Sequence, residues 1–297
     1  MATKPTAGTI LITAVDSSSR AAAVFRMTPK KGTATKVFAG GDLVTPVGTA
    51  IDAKGGIIVA DADAFGGKGG VIRVDPVSGK ATKVSSEGLF SNPFDVAVEK
   101  AGTILVADPH ASGTGGVIRI DPKTGQQTML SSGQESGSAA ALREVGLALE
   151  KNGAILVVEQ GLGGGSMGSG RLTRIDPATG GRKVVASGGV FSSPVGVAVE
   201  ADGKILVADA NAFGGSGGVI RVDPKNGKQT NVSSGGLLVG PLDIAVEANG
   251  DILVADSEAF SGTGGIIRVD PKTGEQTKVA AGGKVLGPRS VAVVGAK

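Results

Sequence analysis

The sequence contains no cysteine, no tryptophan and no tyrosine, and it has one histidine. Its eight aromatic residues are all phenylalanine. Without cysteine the chain has no disulfide, no thiolate zinc site and no cysteine nucleophile. The net charge of +3 is also too small to favour nucleic acid, because phosphate binders present a basic stripe and single-strand binders add stacking aromatic rings. We therefore expect no nucleic-acid partner.

Long apolar runs are also missing. None reaches the roughly 20 residues that a membrane-spanning helix needs. The first residues, MATKPTAGTILITAV, lack the basic segment and apolar core of a signal peptide. We expect a soluble protein with no membrane partner. The compartment and the oligomeric state stay open, because cytosolic and secreted proteins can both lack cysteine.

What the chain does contain is glycine, with 51 residues among 297, and an apolar set dominated by valine, isoleucine, leucine and alanine. This composition is typical of many short strands joined by tight turns. The order of these elements is periodic, so internal repeats decide the fold.

Three series of residues recur in step along the chain. An Arg-x-Asp-Pro-like segment recurs six times, at Arg26, Arg73, Arg119, Arg174, Arg221 and Arg268. A short apolar segment ends at Asp52, Glu99, Glu150, Glu200, Glu247 and Val294. A second apolar segment ends at Asp16, Asp61, Asp108, Glu159, Asp209 and Asp256. Each unit of about 47 residues contains four predicted strands, which is typical of propeller blades.

The two ends of the chain complement each other. The chain begins with a second strand and ends with a lone first strand. We therefore predict an all-β, six-bladed β-propeller of one domain, 1–297, with four antiparallel strands per blade, in which residues 289–295 complete the blade begun by residues 9–38. Such closure removes exposed sheet edges. A parallel β-solenoid is the alternative, but its repeats are usually shorter.

One stretch of the fifth unit carries a family resemblance. The segment PVGVAVEADGKILVADANAFGGSGGVIRVDPKNG, residues Pro194–Gly227, resembles the NHL repeat and, more broadly, the SMP-30/gluconolactonase group of six-bladed propellers. The resemblance extends over nearly the whole chain. It implies the fold but not the function, because such repeats serve enzymes, ligand binders and interaction scaffolds. For the gluconolactonase-like enzymes it implies calcium at the top of the channel.

The repeats differ most on one face. In a propeller the links between blades and the loops from second to third strands share one face, here called the top face, and the hairpin turns lie on the bottom face. The fourth unit has 29 residues from Asp121 to Glu150, against 24 from Asp75 to Glu99. It also has a longer segment at Gln160–Gly170. Insertions on one face commonly mark a binding face, although permissive surface loops also drift in length.

The residue predicted to lie at the channel mouth differs from unit to unit. Its six equivalent positions are Gly48, Asp95, Gly146, Gly196, Asp243 and Ser290. Asp95 and Asp243 are three blades apart and hence opposed, and the glycines predict an open mouth. With the neighbouring Arg143 and Arg289, these aspartates are candidates for binding a cation such as calcium or a polar ligand, although they can equally face water.

A second set of candidates lies on the top-face rim. Its members are Asp63, His110, Asn211, Glu258, Glu144, Glu159 and Gln160. An acidic residue that recurs in all six units, as at Glu159, favours a structural role in which the carboxylate accepts backbone N–H bonds in the following turn. A single loop histidine is more often a solvated surface residue than a general base or a ligand.

Two functions remain open. The first is a non-enzymatic binding or assembly scaffold, with a protein or small-molecule ligand on the top face, because the chain has no nucleophile–base pair in a recognisable context. The alternative is a calcium-dependent, lactonase-like hydrolase or lyase with its site at the top of the channel. The regular units would also suit a consensus-designed propeller, but the irregular first and fourth units favour natural divergence.

Overall fold

A computed structural model describes residues 4–28, 33–133, 142–161 and 170–295, apart from the side chains of Leu142 and Glu144. The strands form six four-stranded antiparallel sheets arranged as the blades of a propeller, which confirms the predicted fold class. Nowhere in these ranges is a helix long and apolar enough to cross a membrane.

The strands follow one another blade by blade. Blade 1 contains β1 (Ile10–Asp16), β2 (Ala22–Met27) and β3 (Ala34–Ala39). Blade 2 contains β4 (Pro46–Ile51), β5 (Ile57–Asp61), β6 (Gly70–Val74) and β7 (Ala81–Ser86). Blade 3 contains β8 (Asp95–Val98), β9 (Ile104–Asp108), β10 (Gly116–Ile120) and β11 (Gln127–Ser132).

The second half of the ring repeats this order. Blade 4 contains β12 (Leu142–Leu149), β13 (Ile155–Gly161), β14 (Arg171–Ile175) and β15 (Arg182–Ser187). Blade 5 contains β16 (Pro194–Val199), β17 (Ile205–Asp209), β18 (Gly218–Val222) and β19 (Gln229–Ser234). Blade 6 contains β20 (Pro241–Val246), β21 (Ile252–Asp256), β22 (Gly265–Val269) and β23 (Gln276–Ala281). The last strand, β24 (Val285–Val293), belongs to blade 1.

Short helical turns follow the second strand in four blades. They are α1 (Ala64–Gly67), a 3₁₀ turn (Ala111–Gly113), α2 (Ala212–Gly215) and α3 (Ala259–Gly262). All four lie on the top face.

The ring closes through its first blade. β24 pairs antiparallel with β1, with Val293 opposite Ile10 and Val291 opposite Ile12. The closing strand begins at Val285, four residues earlier than predicted, and a bulge between Thr13 and Val15 accommodates this extension. The sheet order β24-β1-β2-β3 therefore joins the two ends of the chain in one blade.

The apolar residues are buried between blades. Every residue of β5, β9, β17 and β21 is buried, as the near-continuous apolar second strands predict. One such cluster joins Leu206 and Val219 of blade 5 to Val254 and Ile267 of blade 6. The core is thus divided among the interfaces between neighbouring sheets.

Ion pairs explain why the arginine series and the acidic series at the ends of the first strands recur at the same interval. In five blades the arginine of the third strand binds the acidic residue that ends the first strand of the same blade, at 2.6–3.1 Å; in blade 1 that position is Val294. The pairs are Arg73–Asp52, Arg119–Glu99, Arg174–Glu150, Arg221–Glu200 and Arg268–Glu247. Each pair joins the first and third strands at the bottom end of its own blade.

The bottom turns follow the predicted turn chemistry. Asp270 Oδ1 accepts the N–H groups of Lys272 and Thr273, both at 2.8 Å. Gly274 has a φ of 73°, which a glycine adopts without steric cost.

Candidate functional site at the narrow end of the central channel

The first strands of the six blades approach one another closely at the top end of the channel. A Cβ atom on Gly48 would lie 2.6 Å from Cα of Asp95, and one on Gly196 would lie 2.7 Å from Cα of Asp243. A Cβ on Gly146 would collide with the carbonyl oxygen of Val195. The prediction that these glycines leave the mouth open is therefore wrong. Neighbouring backbones can approach this closely only because glycine has no side chain.

Asp95 and Asp243 each connect two blades. Asp95 Oδ2 accepts the backbone N–H of Leu147 in blade 4, and its Oδ1 accepts the N–H of Val96, both at 2.8 Å. Asp243 Oδ2 accepts the N–H of Val291 in blade 1 at 2.9 Å. Both side chains therefore connect neighbouring blades, whether or not they also bind a ligand.

The environment of these two carboxyls favours their neutral forms. Burial raises the pKa of Asp95 well above its usual range, and the negative charge of Asp243 raises it further. Burial likewise raises the pKa of Asp243 to about 6, against the opposing effect of the Val291 N–H bond. The pair therefore releases its protons at higher pH than exposed aspartates do, and its titrations are coupled.

The accessible space beside the carboxyls lies on the bottom side of the ring. A cavity of about 830 Å³ extends from Asp95 and Asp243 to the hairpin turns around Asp52, Lys100 and Lys151. At the top end the space shrinks to about 10 Å³, between apolar side chains that include Phe94 and Leu242. Both carboxyls are partly exposed, and the geometry of the cavity makes the bottom face their route to solvent.

The two candidate arginines of the mouth are both exposed. Arg289 borders the small space at the top end, near Asp95 and Asp243. Arg143 lies on β12, opposite Gln160 of β13, and does not border either of these cavities. In the described ranges, no group of three or more His, Cys, Asp or Glu side chains is arranged to hold a metal ion.

The rim candidates are spread over five blades, with Glu144, Glu159 and Gln160 together in blade 4. Asp63, His110, Asn211 and Glu258 each precede one of the short helical turns. Asp63 accepts a bond from the hydroxyl of Thr45 at 2.7 Å, and Asn211 donates to the Ser193 hydroxyl at 3.0 Å. The structure does not bring these residues together. The side chain of Glu144 and most of the two insertions, at 134–141 and 162–169, lie outside the described residues.

The recurring acidic residue is structural in four blades. In blade 3, Asp108 accepts the N–H of Ser91 in the preceding link at 2.7 Å and the N–H of His110 at 2.9 Å. Asp61, Asp209 and Asp256 accept equivalent bonds. This agrees with the structural role predicted for the repeated carboxylate and adds the preceding link as a second source of donors.

Glu159, the equivalent residue of blade 4, has a different environment. Its side chain is completely buried, accepts a bond from Arg171 Nε at 2.8 Å, and also binds Arg182 and the hydroxyl of Thr173. Arg182 extends into blade 3, where it donates to the Ser132 carbonyl at 3.2 Å. We call Glu159, Arg171, Thr173 and Arg182 the blade-4 cluster.

Inspection of the sequence missed the blade-4 cluster, although a signal for it exists. Arg171 replaces a glycine that starts the third strand in four other blades, and Arg182 occupies the position of Gln127, Gln229 and Gln276. The change from aspartate to glutamate occurs in the same blade. Two new cations and one longer carboxylate in a single repeat are the pattern of an ion-pair network.

Comparisons with known proteins show the fold alone. No family model matches the chain, and no curated protein matches it. A solved structure of a nidogen/laminin complex is similar, with 15% identity and a TM-score of 0.73, over 96% of this chain and 97% of that chain. TolB from Acinetobacter baumannii is similar with 17% identity and a TM-score of 0.67, over 96% of this chain and 66% of that chain. The chain thus shares the β-propeller fold with both.

Proposed function

We propose that this chain is a non-enzymatic binding or assembly scaffold that engages a protein or small-molecule ligand through its top face near blade 4. The observation that carries the proposal is the position of the blade-4 cluster. Described residues next to both inserted segments adjoin it: Arg171 follows Gly170, Glu159 precedes Gly161 by two residues, and Ser132, to which Arg182 donates, precedes Gly133. Binding loops commonly extend from a rigid scaffold, and a buried ion-pair network supplies a rigid base.

Two further features support a binding role. The nidogen/laminin structure that shares this fold is that of a complex between proteins. Val44 and Val239, in the links before blades 2 and 6, are 51% and 45% exposed, so the top face also offers apolar contact area. A propeller fold by itself is compatible with many functions, so the proposal depends on the loops and not on the fold.

The test is to shorten both inserted segments to the length found in the other blades. We expect the shortened protein to keep its melting temperature within a few degrees but to lose the partners that the wild type retains in a quantitative affinity capture. A matched variant, K225A/K228A, changes the bottom turns and should capture the same partners as the wild type. An unchanged set of partners after shortening would contradict the proposal.

The alternative, a calcium-dependent lactonase-like hydrolase or lyase, is favoured by one observation. Asp95 and Asp243 oppose each other across the channel with raised pKa values, as acid–base groups do. Calcium that raised the melting temperature of the wild type, but not that of D95N/D243N, would support this alternative, especially together with hydrolysis of a simple lactone. The scaffold proposal predicts neither effect.

A further inference from the structure

The bottom end of blade 3 contains a further cavity, which we call the blade-3 pocket. It has a volume of about 390 Å³, within the range typical of small-molecule sites. It lies where the turn between β8 and β9 meets β10, β11 and the turn that joins them. The residues that matter for its chemistry are Ala101, Thr103, Arg119, Lys123, Gln126 and Thr128. All but the alanine have side-chain hydrogen-bond donors, so the pocket suits a polar ligand.

Arg119 has donors left for a ligand. Its Nε and Nη2 donate to the two carboxylate oxygens of Glu99, at 3.2 and 3.1 Å, and Nη2 also donates to the carbonyl oxygen of Pro177 at 2.8 Å. Among the described residues these bonds leave its Nη1 without an acceptor. A guanidinium has five N–H donors in a planar fork that fits a carboxylate. Lys123, which is exposed and borders the same pocket, adds a second positive charge.

Blade 6 shows that the equivalent space accommodates a carboxylate. Asp251 Oδ2 lies 3.5 Å from Nε of Arg268, the arginine equivalent to Arg119. The same oxygen accepts a bond from Asn249 Nδ2 at 2.8 Å. The bond to Glu247 raises the pKa of Arg268 above its usual value, and the charge of Asp251 raises it further. This arginine thus interacts with two carboxylates, one that ends the first strand and one in the turn that follows.

Blade 3 has the same frame but lacks this second carboxylate. Both blades have the sequence R-x-D-P-K-T-G-x-Q from the arginine of the third strand into the fourth strand. Three positions of the frame carry a smaller or uncharged residue in blade 3, namely Thr103 for Asp251, Ala101 for Asn249 and Gln126 for Glu275. Blade 3 therefore has two negative charges fewer than blade 6 in this frame, and it has open space beside its arginine.

The acidic residue that also borders the pocket, Asp121, does not exclude a carboxylate. Its Oδ1 accepts the backbone N–H groups of Lys123 and Thr124, at 2.7 and 3.3 Å, which stabilises the turn. Asp270 makes the equivalent bonds in blade 6, where Asp251 is also present. The frame therefore holds a turn aspartate and a second carboxylate at the same time.

We propose that the blade-3 pocket binds a carboxylate ligand, whose carboxylate lies beside Arg119 and Thr103, in the place that Asp251 occupies in blade 6. Lys123 provides the counter-charge for a second carboxylate. The ligand is either a free dicarboxylic acid or an acidic side chain of a peptide. The carboxylate chemistry is the same in both cases, and the two sources differ only in the rest of the ligand.

Chemical-shift titration of the whole nitrogen-15-labelled chain at pH 7 and low ionic strength tests the proposal. The probes are glutarate, the blocked glutamate N-acetyl-glutamate methylamide, and glutaramide as an uncharged control. We expect at least one of the two acids to produce saturable shifts centred on residues 101–104 and 119–128, with at least tenfold weaker binding of glutaramide. Preference for the blocked glutamate identifies a peptide source, and preference for glutarate identifies a free dicarboxylic acid. Failure of both acids to bind, or tighter binding of inorganic phosphate, would overturn the proposal.

Three variants locate the site. T103D introduces the carboxylate that blade 6 has at this position, so it should fold, as checked by circular dichroism, and weaken binding of the acid at least tenfold. K123A should weaken it about threefold to tenfold. K225A removes the equivalent lysine of blade 5 and should bind within twofold of the wild type. Wild-type affinity in T103D, or an equal loss in K123A and K225A, would overturn the proposal.

The blade-3 pocket is on the bottom face, away from the segments on which the top-face proposal depends. The variant with shortened top loops should bind the acid as the wild type does, and T103D should retain the top-face partners. A failure in one experiment therefore does not produce a failure in the other.

Discussion

The carboxylate of Asp95 accepts the backbone N–H of Leu147 at 2.8 Å, across the boundary between blades 3 and 4. Asp243 makes the equivalent bond to Val291 at 2.9 Å, between blades 6 and 1. Between blades 2 and 3 and between blades 5 and 6, by contrast, a glycine lets the backbones touch directly. The narrow end of the ring therefore combines side-chain hydrogen bonds at two blade boundaries with close backbone contact at others.

Removal of the Asp95 carboxyl should weaken the ring. We expect D95A to lower the free energy of unfolding by about 1–3 kcal/mol, because the N–H groups of Leu147 and Val96 lose their acceptor. D95N keeps one acceptor oxygen and should lose less. Urea unfolding at pH 5, where repulsion from Asp243 is small, measures both. Equal stability of D95A and the wild type would show that the bond contributes nothing.

The titration of Asp243 should produce a pH dependence of opposite sign to that of an ion-paired carboxylate. Its pKa is raised from 3.8 to about 6, so the folded state binds the proton more tightly than the unfolded state does. This contribution to stability is complete below about pH 4 and is lost as the pH rises through about 6. The groups near this carboxyl are Asp95, which shares the titration, Ser290 and the exposed Arg289.

The measurement is the difference in unfolding free energy between the wild type and D243N from pH 4 to pH 8. Subtraction cancels the carboxyls that are not coupled to Asp243, among them Asp52, whose pKa is lowered, against the effect of burial, by its bond to Arg73. As the pH rises from about 4 to about 6, we expect the wild type to lose roughly 1–3 kcal/mol of unfolding free energy relative to D243N. Above that range the difference should level off. A flat difference would show that Asp243 titrates as an exposed aspartate does.

The fold was predictable from the sequence because its determinants are local and repeated. Apolar second strands such as Ile252–Asp256 and turns such as the one ending at Gly274 recur at a fixed interval, and the incomplete end units determine how the ring closes. The position of Asp95 opposite Asp243 follows from counting blades.

Which end of the channel is open was not predictable in this way. A glycine such as Gly48 is compatible with either an empty mouth or a close backbone contact, and only the packing of six blades selects between them. The blade-4 cluster was also missed, because its members lie on three different strands and only Glu159 falls in a series that repeats.

The glycine of the narrow ring should be intolerant of a methyl group. In G48A the new Cβ would lie 2.6 Å from Cα of Asp95, so the two backbones must separate, at a cost of about 1–3 kcal/mol. G181A is the matched control, since its Cβ would meet only the hydroxyl of Thr179, at 3.1 Å in an exposed turn. Chemical denaturation of both variants should show a loss for G48A alone. A tolerated G48A would mean that the strands separate at little cost.

The blade-4 cluster should be more sensitive to loss of its carboxylate than an exposed ion pair is. E159A leaves the guanidinium groups of Arg171 and Arg182, 13% and 9% exposed, without their shared counter-charge. Loss of one member of a buried ion pair typically costs about 3–5 kcal/mol. The exposed pair of Lys204 and Asp202, at 3.0 Å, provides the comparison, and D202N should cost less than about 1 kcal/mol.

Urea unfolding of E159A, E159Q and D202N under identical conditions separates charge from hydrogen bonding in this cluster. E159Q retains an acceptor for the Thr173 hydroxyl and should fall between the other two variants, because it removes only the negative charge. If E159A lost no more stability than D202N, the two arginines would be able to reach solvent after the substitution. The cluster would then not be a rigid base for the inserted segments of blade 4, and the top-face proposal would lose its main support.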